Sequence, residues 1–249
     1  MPRPRFSLIV PAYNEAAFLP RLLRSAHRAR RRYRGGLNEI EIVVADNRSE
    51  DGTAEIARRM GCRVTRAEKR NIAAVRNAGA RAARGAVFVF TDADGWLHPE
   101  TFNGIDAAIR SGRYVAGATG VRLERYSMGL CVTMAVAWPF LWLSRFDTGA
   151  VFCRRADFEA VGGYRESRAF AEDIAFLTDL REWGRRDGRR LVRLTSAKAV
   201  ASTRKFDTHG DWHYFDLLFK WVVGSMLGKG WMDRVAETYW YGRQRDPGE

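Results

Sequence analysis

The chain has 249 residues, 46% of them hydrophobic and 29% charged, with a formal net charge of +13. This composition argues against intrinsic disorder except at the ends, and the length suffices for one large α/β core or two small ones. The charge predicts attraction to phosphates, whether on nucleic acid, an anionic membrane surface or a phosphorylated small molecule.

The three cysteines, Cys62, Cys131 and Cys153, are odd in number and have no CxxC spacing. Buried thiols in a reducing cytoplasm are therefore expected, not disulfides or a zinc site. The N-terminus does not read as a signal peptide, because the apolar run Phe6 to Val10 is short and Pro11-Ala12-Tyr13-Asn14-Glu15 follows at once.

In chain order, Ser7 to Val10 reads as a buried strand. Phe18, Leu19, Leu22, Leu23 and Ala26 then share one helical face. Arg21 to Arg34 holds seven arginines and no acid, a solvated helix face or a contact for anionic lipid. Ile40 to Ala45 is a second strand ending in Asp46-Asn47, and the turn Ser49-Glu50-Asp51-Gly52 leads into a short helix over Thr53 to Met60. Cys62 to Thr65 is a third strand. Asn71 to Arg84 is a small-residue helix closed by Gly85, and Val87 to Phe90 is a fully buried strand. Strands alternating with helices imply a mostly parallel sheet covered on both faces. Ligands of such sheets bind beyond the carboxyl ends of the strands, which puts Pro11 to Glu15, Asp46-Asn47 and Thr91 to Asp94 on one edge.

The second half is less regular. Tyr126 to Ser144 carries no charge, and its strongly apolar part, Met128 to Leu143, is close to the ~17–25 residues that span a bilayer. A span there would separate the acids at 92–94 from those at 172–173, so a buried or membrane-facing helix is expected if these acids share a site. Ala150 to Cys153 is a strand, Gly162-Gly163 a break, Glu172 to Trp183 a helix, and Leu191 to Leu194 and Ala197 to Ala201 are two strands. Asp211 to Leu227 is an aromatic-rich helix. Its aromatics, with Trp138, Phe140 and Trp142 of the apolar segment, suit the core, a homodimer contact, a membrane interface or a sugar-stacking pocket. With no repeat or linker, the chain reads as one domain over 1–205 with a C-terminal helical appendage over 206–249.

Asp92 and Asp94 flank Ala93 just after a strand, so in an extended stretch both carboxylates face one crevice. Their hard oxygens suit Mg²⁺ or Mn²⁺, and a pair of solvated turn acids is the alternative. At the same edge Asp46 can accept a base N–H, Tyr13 can stack on the base, Glu15 can take a ribose hydroxyl, and Arg70 and Arg76 can reach phosphates. For Arg76 and Asn77 the alternative is a solvated helix face. No recognition helix, zinc site or RNP-type aromatic pattern is present, so nucleic acid is not an expected partner.

Residues 7–15 (SLIVPAYNE), 41–53 (EIVVADNRSEDGT) and 87–94 (VFVFTDAD) together resemble family 2 glycosyltransferases, and the likeness extends over residues 5–205. The resemblance implies a GT-A fold: a mostly parallel, Rossmann-like sheet flanked by helices. Its nucleotide-binding half would be 1–95 and its small mixed acceptor and catalytic half 96–205. It implies inverting transfer of a sugar from a nucleoside-diphosphate sugar to a hydroxyl acceptor, with Mn²⁺ or Mg²⁺. UDP-sugars are favoured, and GDP- or dTDP-sugars remain compatible. The acceptor is open, a lipid-linked molecule or polysaccharide precursor included, as is peripheral contact with the inner face of a membrane.

The same resemblance implies that Pro11, Tyr13 and Glu15 line the nucleoside pocket, Asp46 reads the base, and Asp92 with Ala93 adjoins the ribose. Asp94 would be the metal ligand. Glu172-Asp173, after Gly162-Gly163-Tyr164, would supply the base, with Asp173 the better fit and Glu172 in reserve. Arg204 or Lys205 would meet the diphosphate, and His209, with His213 competing, would complete the metal shell. Two departures stand out. Ala175 occupies a position where many members carry a further acid, and the Gln-x-x-Arg-Trp motif of processive synthases is absent, Gln244 being the sole glutamine. A single addition is therefore favoured over polymerisation, and the missing acid at Ala175 leaves a catalytically silent nucleotide-sugar binder as the alternative.

Overall fold

The computed structural model of the chain describes residues 3–129, 132, 149–167 and 172–204. His209, His213, Lys205, the expected 211–227 helix and most of the 126–144 apolar segment lie outside the described residues. The elements follow the alternation seen in the sequence: β1 (Phe6–Ala12), α1 (Leu19–Arg32), β2 (Ile40–Asp46), α2 (Thr53–Arg59), β3 (Arg63–Arg66), α3 (Ile72–Ala82) and β4 (Val87–Phe90). They continue with α4 (Thr101–Arg110), β5 (Tyr114–Leu123), β6 (Val151–Arg154), α5 (Arg155–Ala160), α6 (Glu172–Arg185) and β7 (Arg190–Ala201).

Seven strands form one sheet in the order β3-β2-β1-β4-β6-β5-β7. β1 to β4 are mutually parallel, β5 and β7 are parallel, and β6 runs antiparallel between β4 and β5. The mostly parallel α/β expectation holds, with β6 as the reversal that starts the mixed second half. Strands buried on both faces divide their side chains between two cores. Phe6, Leu8 and Val10 of β1 pack with Leu19, Leu22 and Leu23 of α1 and with Phe102 and Ile105 of α4. Ile9 of β1, Phe88 and Phe90 pack on the opposite face with Ala73 and Ala80 of α3, Phe158 of α5 and Phe176 and Leu177 of α6.

The second face holds the site. Phe90, Tyr164 and Phe176 form an aromatic cluster, with Phe90 edge-on to Tyr164 at 5.1 Å and Tyr164 stacked on Phe176 at 4.1 Å. Each such pair contributes about 0.5–1.5 kcal/mol beyond its buried area. The cluster fixes Tyr164 at the mouth of the sheet.

Two local expectations need correction. α3 ends at Ala82 and its cap Ala83 is extended, so Gly85 does not close the helix. Gly85 instead lets the chain pass close to β1: an added Cβ would lie 2.6 Å from the backbone carbon of Phe6, and the Gly85 N–H donates to Ser7 Oγ at 2.7 Å. Leu191 to Leu194 and Ala197 to Ala201 are one strand, β7, whose pairing with β5 shifts register between Thr119 and Val121. α4 and β5 have no counterpart in the sequence reading.

Pro11 sits inside β1 at no cost to the ladder. Thr91 N–H donates to Ile9 O at 3.2 Å, so Ile9 and Pro11 turn their polar groups toward β4. The β1–β4 pairing ends at Ile9 and Phe90, so Pro11 lies beyond its last rung.

Candidate functional site

Parallel β1, β2 and β4 deliver their carboxyl ends to one edge, with Ala12 in register with Asp46 and Ile9 with Phe90. Two residues past these ends adopt left-handed backbone, Asn14 at φ 51° and Arg48 at φ 62°. Such conformations persist only where the surroundings fix them. Here the two loops clasp each other: Asn14 N–H donates to Ser49 Oγ at 3.0 Å, and Glu50 N–H donates to Asn14 Oδ1 at 2.9 Å. Asp51 strengthens the clasp by accepting from Ala16 N–H and from the Thr53 hydroxyl. Burial alone would raise the Asp51 pKa, but these donors hold it below the ordinary aspartate value.

Asp46 is buried. Its Oδ2 accepts from Ser49 N–H at 3.3 Å, while Oδ1 is buried with no hydrogen-bond partner among the described residues. A buried acceptor left unmatched costs about 1–3 kcal/mol, so a donor supplied by a ligand is the natural complement. At the rim, Tyr13 carries the Arg70 guanidinium on its ring at 5.1 Å and accepts from Arg70 Nη2 through its hydroxyl at 2.9 Å.

Arg76 is the hub of the site, and the solvated-face alternative is overturned. Its side chain is 5% exposed and binds three carboxylates: Glu172 and Asp173 at 2.8 Å each and Asp92 at 3.0 Å. Tyr164 lies beneath, its ring 5.2 Å from the guanidinium and its hydroxyl donating to Asp173 Oδ1 at 3.0 Å. Burial raises the pKa of Asp173 above the ordinary value, with Arg76 opposing and Asp92 adding to the rise. Glu172 is raised for the same reason, with Arg76 opposing and Asp173 adding.

Asn77, the next residue of α3, is buried too. Its Nδ2 donates to Tyr164 O and its Oδ1 accepts from Tyr164 N–H, both at 2.9 Å. The turn it grips needs Gly162 and Gly163, at φ 79° and 74°.

Asp94 belongs to a second network. Arg204 binds both carboxylate oxygens of Glu15, at 2.9 and 2.5 Å, and approaches Asp94 Oδ2 at 3.2 Å. Burial raises the Glu15 pKa while Arg204 pulls it down. The expectation that Asp92 and Asp94 point alike is corrected. The chain turns at Ala93 and Asp94, and the two carboxylates pair with different arginines. Both still lie close enough to act electrostatically on Glu15 and Arg204. Ala93 is buried in the α1-side core, so its side chain offers nothing to a ligand.

The edge thus brings together Tyr13, Glu15, Asp46, Arg70, Arg76, Asp92, Asp94, Glu172, Asp173 and Arg204. Sequence reading missed the roles of Tyr164 and Asn77 as its clamps. Among the described residues no three His, Cys, Asp or Glu side chains are grouped to hold a metal ion. The carboxylates of Asp92 and Asp94 nonetheless have the hard oxygen donors that Mg²⁺ and Mn²⁺ take alongside water and diphosphate oxygens. Among the described residues no helix is long and apolar enough to cross a membrane.

The chain is 30% identical over 105 residues to EpsH of Bacillus subtilis, and 33% identical over 97 residues to the glycosyltransferase AglE of Haloferax volcanii. These matches cover 40% and 36% of the chain, but only 29% and 31% of the relatives. Among solved structures it is similar to S. aureus TarS 1–349 in complex with UDP-GlcNAc, with a TM-score of 0.62 at 20% identity over 80% of the chain and 58% of TarS. It also resembles a mannosyltransferase from Pyrobaculum calidifontis in complex with GDP-Man and Mn²⁺, with a TM-score of 0.62 at 23% identity over 81% and 57%. Glucosyl-3-phosphoglycerate synthase from Mycobacterium tuberculosis, with Mn²⁺, UDP and glucosyl-3-phosphoglycerate, has a TM-score of 0.58 at 20% identity over 84% and 76%. These likenesses place the fold in the GT-A class. The glycosyl transferase family 2 profile matches residues 7–134, more than half of the chain. With strand-end acids, α6 carboxylates and fold in agreement, the chain belongs to family 2 of the glycosyltransferases.

Proposed function

We propose that this chain transfers a single sugar, with inversion, from a nucleoside-diphosphate sugar to a hydroxyl acceptor. The observation that carries the reading is the gathering of Glu172, Asp173 and Asp92 around the buried guanidinium of Arg76 at the carboxyl edge of the sheet. Asp173 is the base. Its Oδ1 is held by Tyr164 and Arg76, and Oδ2 has no hydrogen bond among the described residues. A raised pKa strengthens it as a proton acceptor at neutral pH. As the acceptor oxygen bonds to the anomeric carbon, its proton passes to Asp173, and the bond to the diphosphate oxygen breaks with the electron pair leaving on the phosphate. Glu172 is the reserve carboxylate.

On the donor side, Asp46 Oδ1 accepts an N–H of the base and Tyr13 stacks on it. Uracil, thymine and guanine all carry such an N–H, and the similar structures hold UDP-GlcNAc, GDP-Man and UDP. Asp94 would hold Mn²⁺ or Mg²⁺, whose chemistry would be neutralisation of the departing diphosphate. Arg70 and Arg204 would meet that charge.

Asp94→Ala tests the reading. The variant should keep the wild-type melting temperature and lose donor turnover in Mn²⁺ buffer. Unchanged donor hydrolysis would falsify the assignment. A thermal-shift panel of nucleoside diphosphates with Mn²⁺ identifies the base, because the cognate ligand raises stability by mass action.

A further inference from the structure

The arginine-rich α1 has a second partner surface. A cavity of about 590 Å³ lies between α1, the 96–99 loop, the end of β5 and β7. From α1 it takes Arg21, Arg24 and Arg28, spaced i, i+3 and i+7 along one flank, a run of about 10 Å. Arg122 of β5 and Lys198 of β7 face the same space, and no acid lines it among the described residues. Its volume is that of a small-molecule site.

Among the described residues, the half-buried Arg5 and Arg189 pair with Asp106 and Asp157. Arg21 is likewise paired, with Glu124 at 2.7 Å. Arg24, Arg28, Arg122 and Lys198 have no ion pair among the described residues, and they converge on one concavity. Like charges gathered this way raise the local positive potential and favour an anion. The exposed hydroxyls of Thr195 and Ser196 on the β7 wall add neutral donors suited to phosphate oxygens.

We propose that this groove is a second anion site that binds the phosphate group of a phosphorylated ligand. Arginine forks match phosphate geometry bidentately. The concave shape favours a discrete group over a flat membrane surface, and the 10 Å arginine flank is too short to follow a nucleic-acid backbone over several phosphates. The groove lies on the α1 face of the sheet, whereas Glu172 and Asp173 stand on the α6 face. It therefore stands on the other face from those two carboxylates, and the assignment does not depend on the proposed reaction.

The two sites share one wall. Arg21 Nη2 donates to the backbone carbonyl of Asp94 at 2.5 Å, and its guanidinium lies 4.3 Å over the ring of Trp96. A ligand in the groove thus contacts the segment that sets the position of Asp94.

The test compares the wild-type chain with an Arg24→Ala/Arg28→Ala/Lys198→Ala variant, all three being exposed side chains. Probes are glycerol 3-phosphate, by calorimetry, and phosphatidylcholine vesicles doped with phosphatidic acid, by sedimentation. At 0.15 M ionic strength, where long-range attraction is screened to about 8 Å, the variant should keep its melting temperature and its nucleoside-diphosphate affinity while losing at least about tenfold in affinity for a phosphate probe. Loss with glycerol 3-phosphate assigns a soluble phosphate ester, loss with the vesicles alone assigns a lipid headgroup, and either supports the site. Equal affinity of wild type and variant for both probes overturns it. So does tighter binding of a single-stranded RNA that the same substitutions abolish, which would make the groove a nucleic-acid surface.

Discussion

Asp173 carries two opposed requirements, and its titration separates them. Burial raises its pKa above the usual aspartate value of 3.8, and Arg76 only partly restores the ionised form. A carboxyl that binds its proton more tightly when folded stabilises the fold in its protonated state. That contribution is complete below the unfolded value and is lost as pH rises through the raised folded value. At neutral pH the ionised carboxylate is therefore a cost to stability, one that the proposed proton abstraction would require. Asp173→Asn keeps the shape of the protonated acid without the charge. At pH 7 the variant should melt at or above the wild-type temperature, with the advantage shrinking as pH falls toward about 4. Transfer should drop about 10²–10⁴-fold, the usual worth of a general base. A variant that melts several degrees lower at every pH, yet turns over normally, would make Asp173 a structural partner of Arg76 and nothing more.

At the scale of elements, α3 joins the two halves of the site. Arg76 collects the carboxylates, and Asn77 grips both backbone groups of Tyr164, which in turn holds Asp173. Asn77→Ala would leave the buried N–H and carbonyl of Tyr164 unmatched, at about 1–3 kcal/mol for each group. In a chain of this size each kcal/mol lowers the melting temperature by about 2–4 °C. A fall of several degrees with weakened transfer is expected in a thermal melt and an activity assay, and a change below one degree would refute the clamp. Helical periodicity could not reveal this role, because it assigns polar residues to solvent, and Arg76 and Asn77 are polar but turned inward. The strands β1, β2 and β4 were legible because runs such as Val87 to Phe90 are apolar on both faces. α4 was hidden by Asn103 and Gly104 within its pattern, although Phe102, Ile105 and Ile109 keep helical spacing. In β5, Gly117 and Gly120 dilute the strand signal. The bend at Ala93-Asp94 escaped because two residues of spacing imply one direction only while the chain stays extended.

Across the whole molecule the charge is +13, yet the donor edge collects Glu15, Asp46, Asp92, Asp94, Glu172 and Asp173. Arg70, Arg76 and Arg204 offset these acids only in part, so the site is locally less positive than the rest of the surface. On the proposed reading, an anionic donor would be drawn in by the distant arginines and seated only when a divalent cation offsets the nearby carboxylates. Long-range attraction and local binding respond differently to salt. Raising ionic strength from 0.01 M to 0.15 M shortens the screening length from about 30 Å to about 8 Å. That range removes the pull of α1 and of the groove cations while leaving contacts inside the pocket largely intact. With Mn²⁺ saturating throughout, kcat/KM for the nucleotide sugar should fall several-fold over this range, and kcat at saturating donor should stay level. A salt-independent kcat/KM would mean that the excess arginine plays no part in donor capture. A parallel fall in kcat would instead place the salt-sensitive contacts inside the pocket, where the Arg76 and Arg204 networks lie.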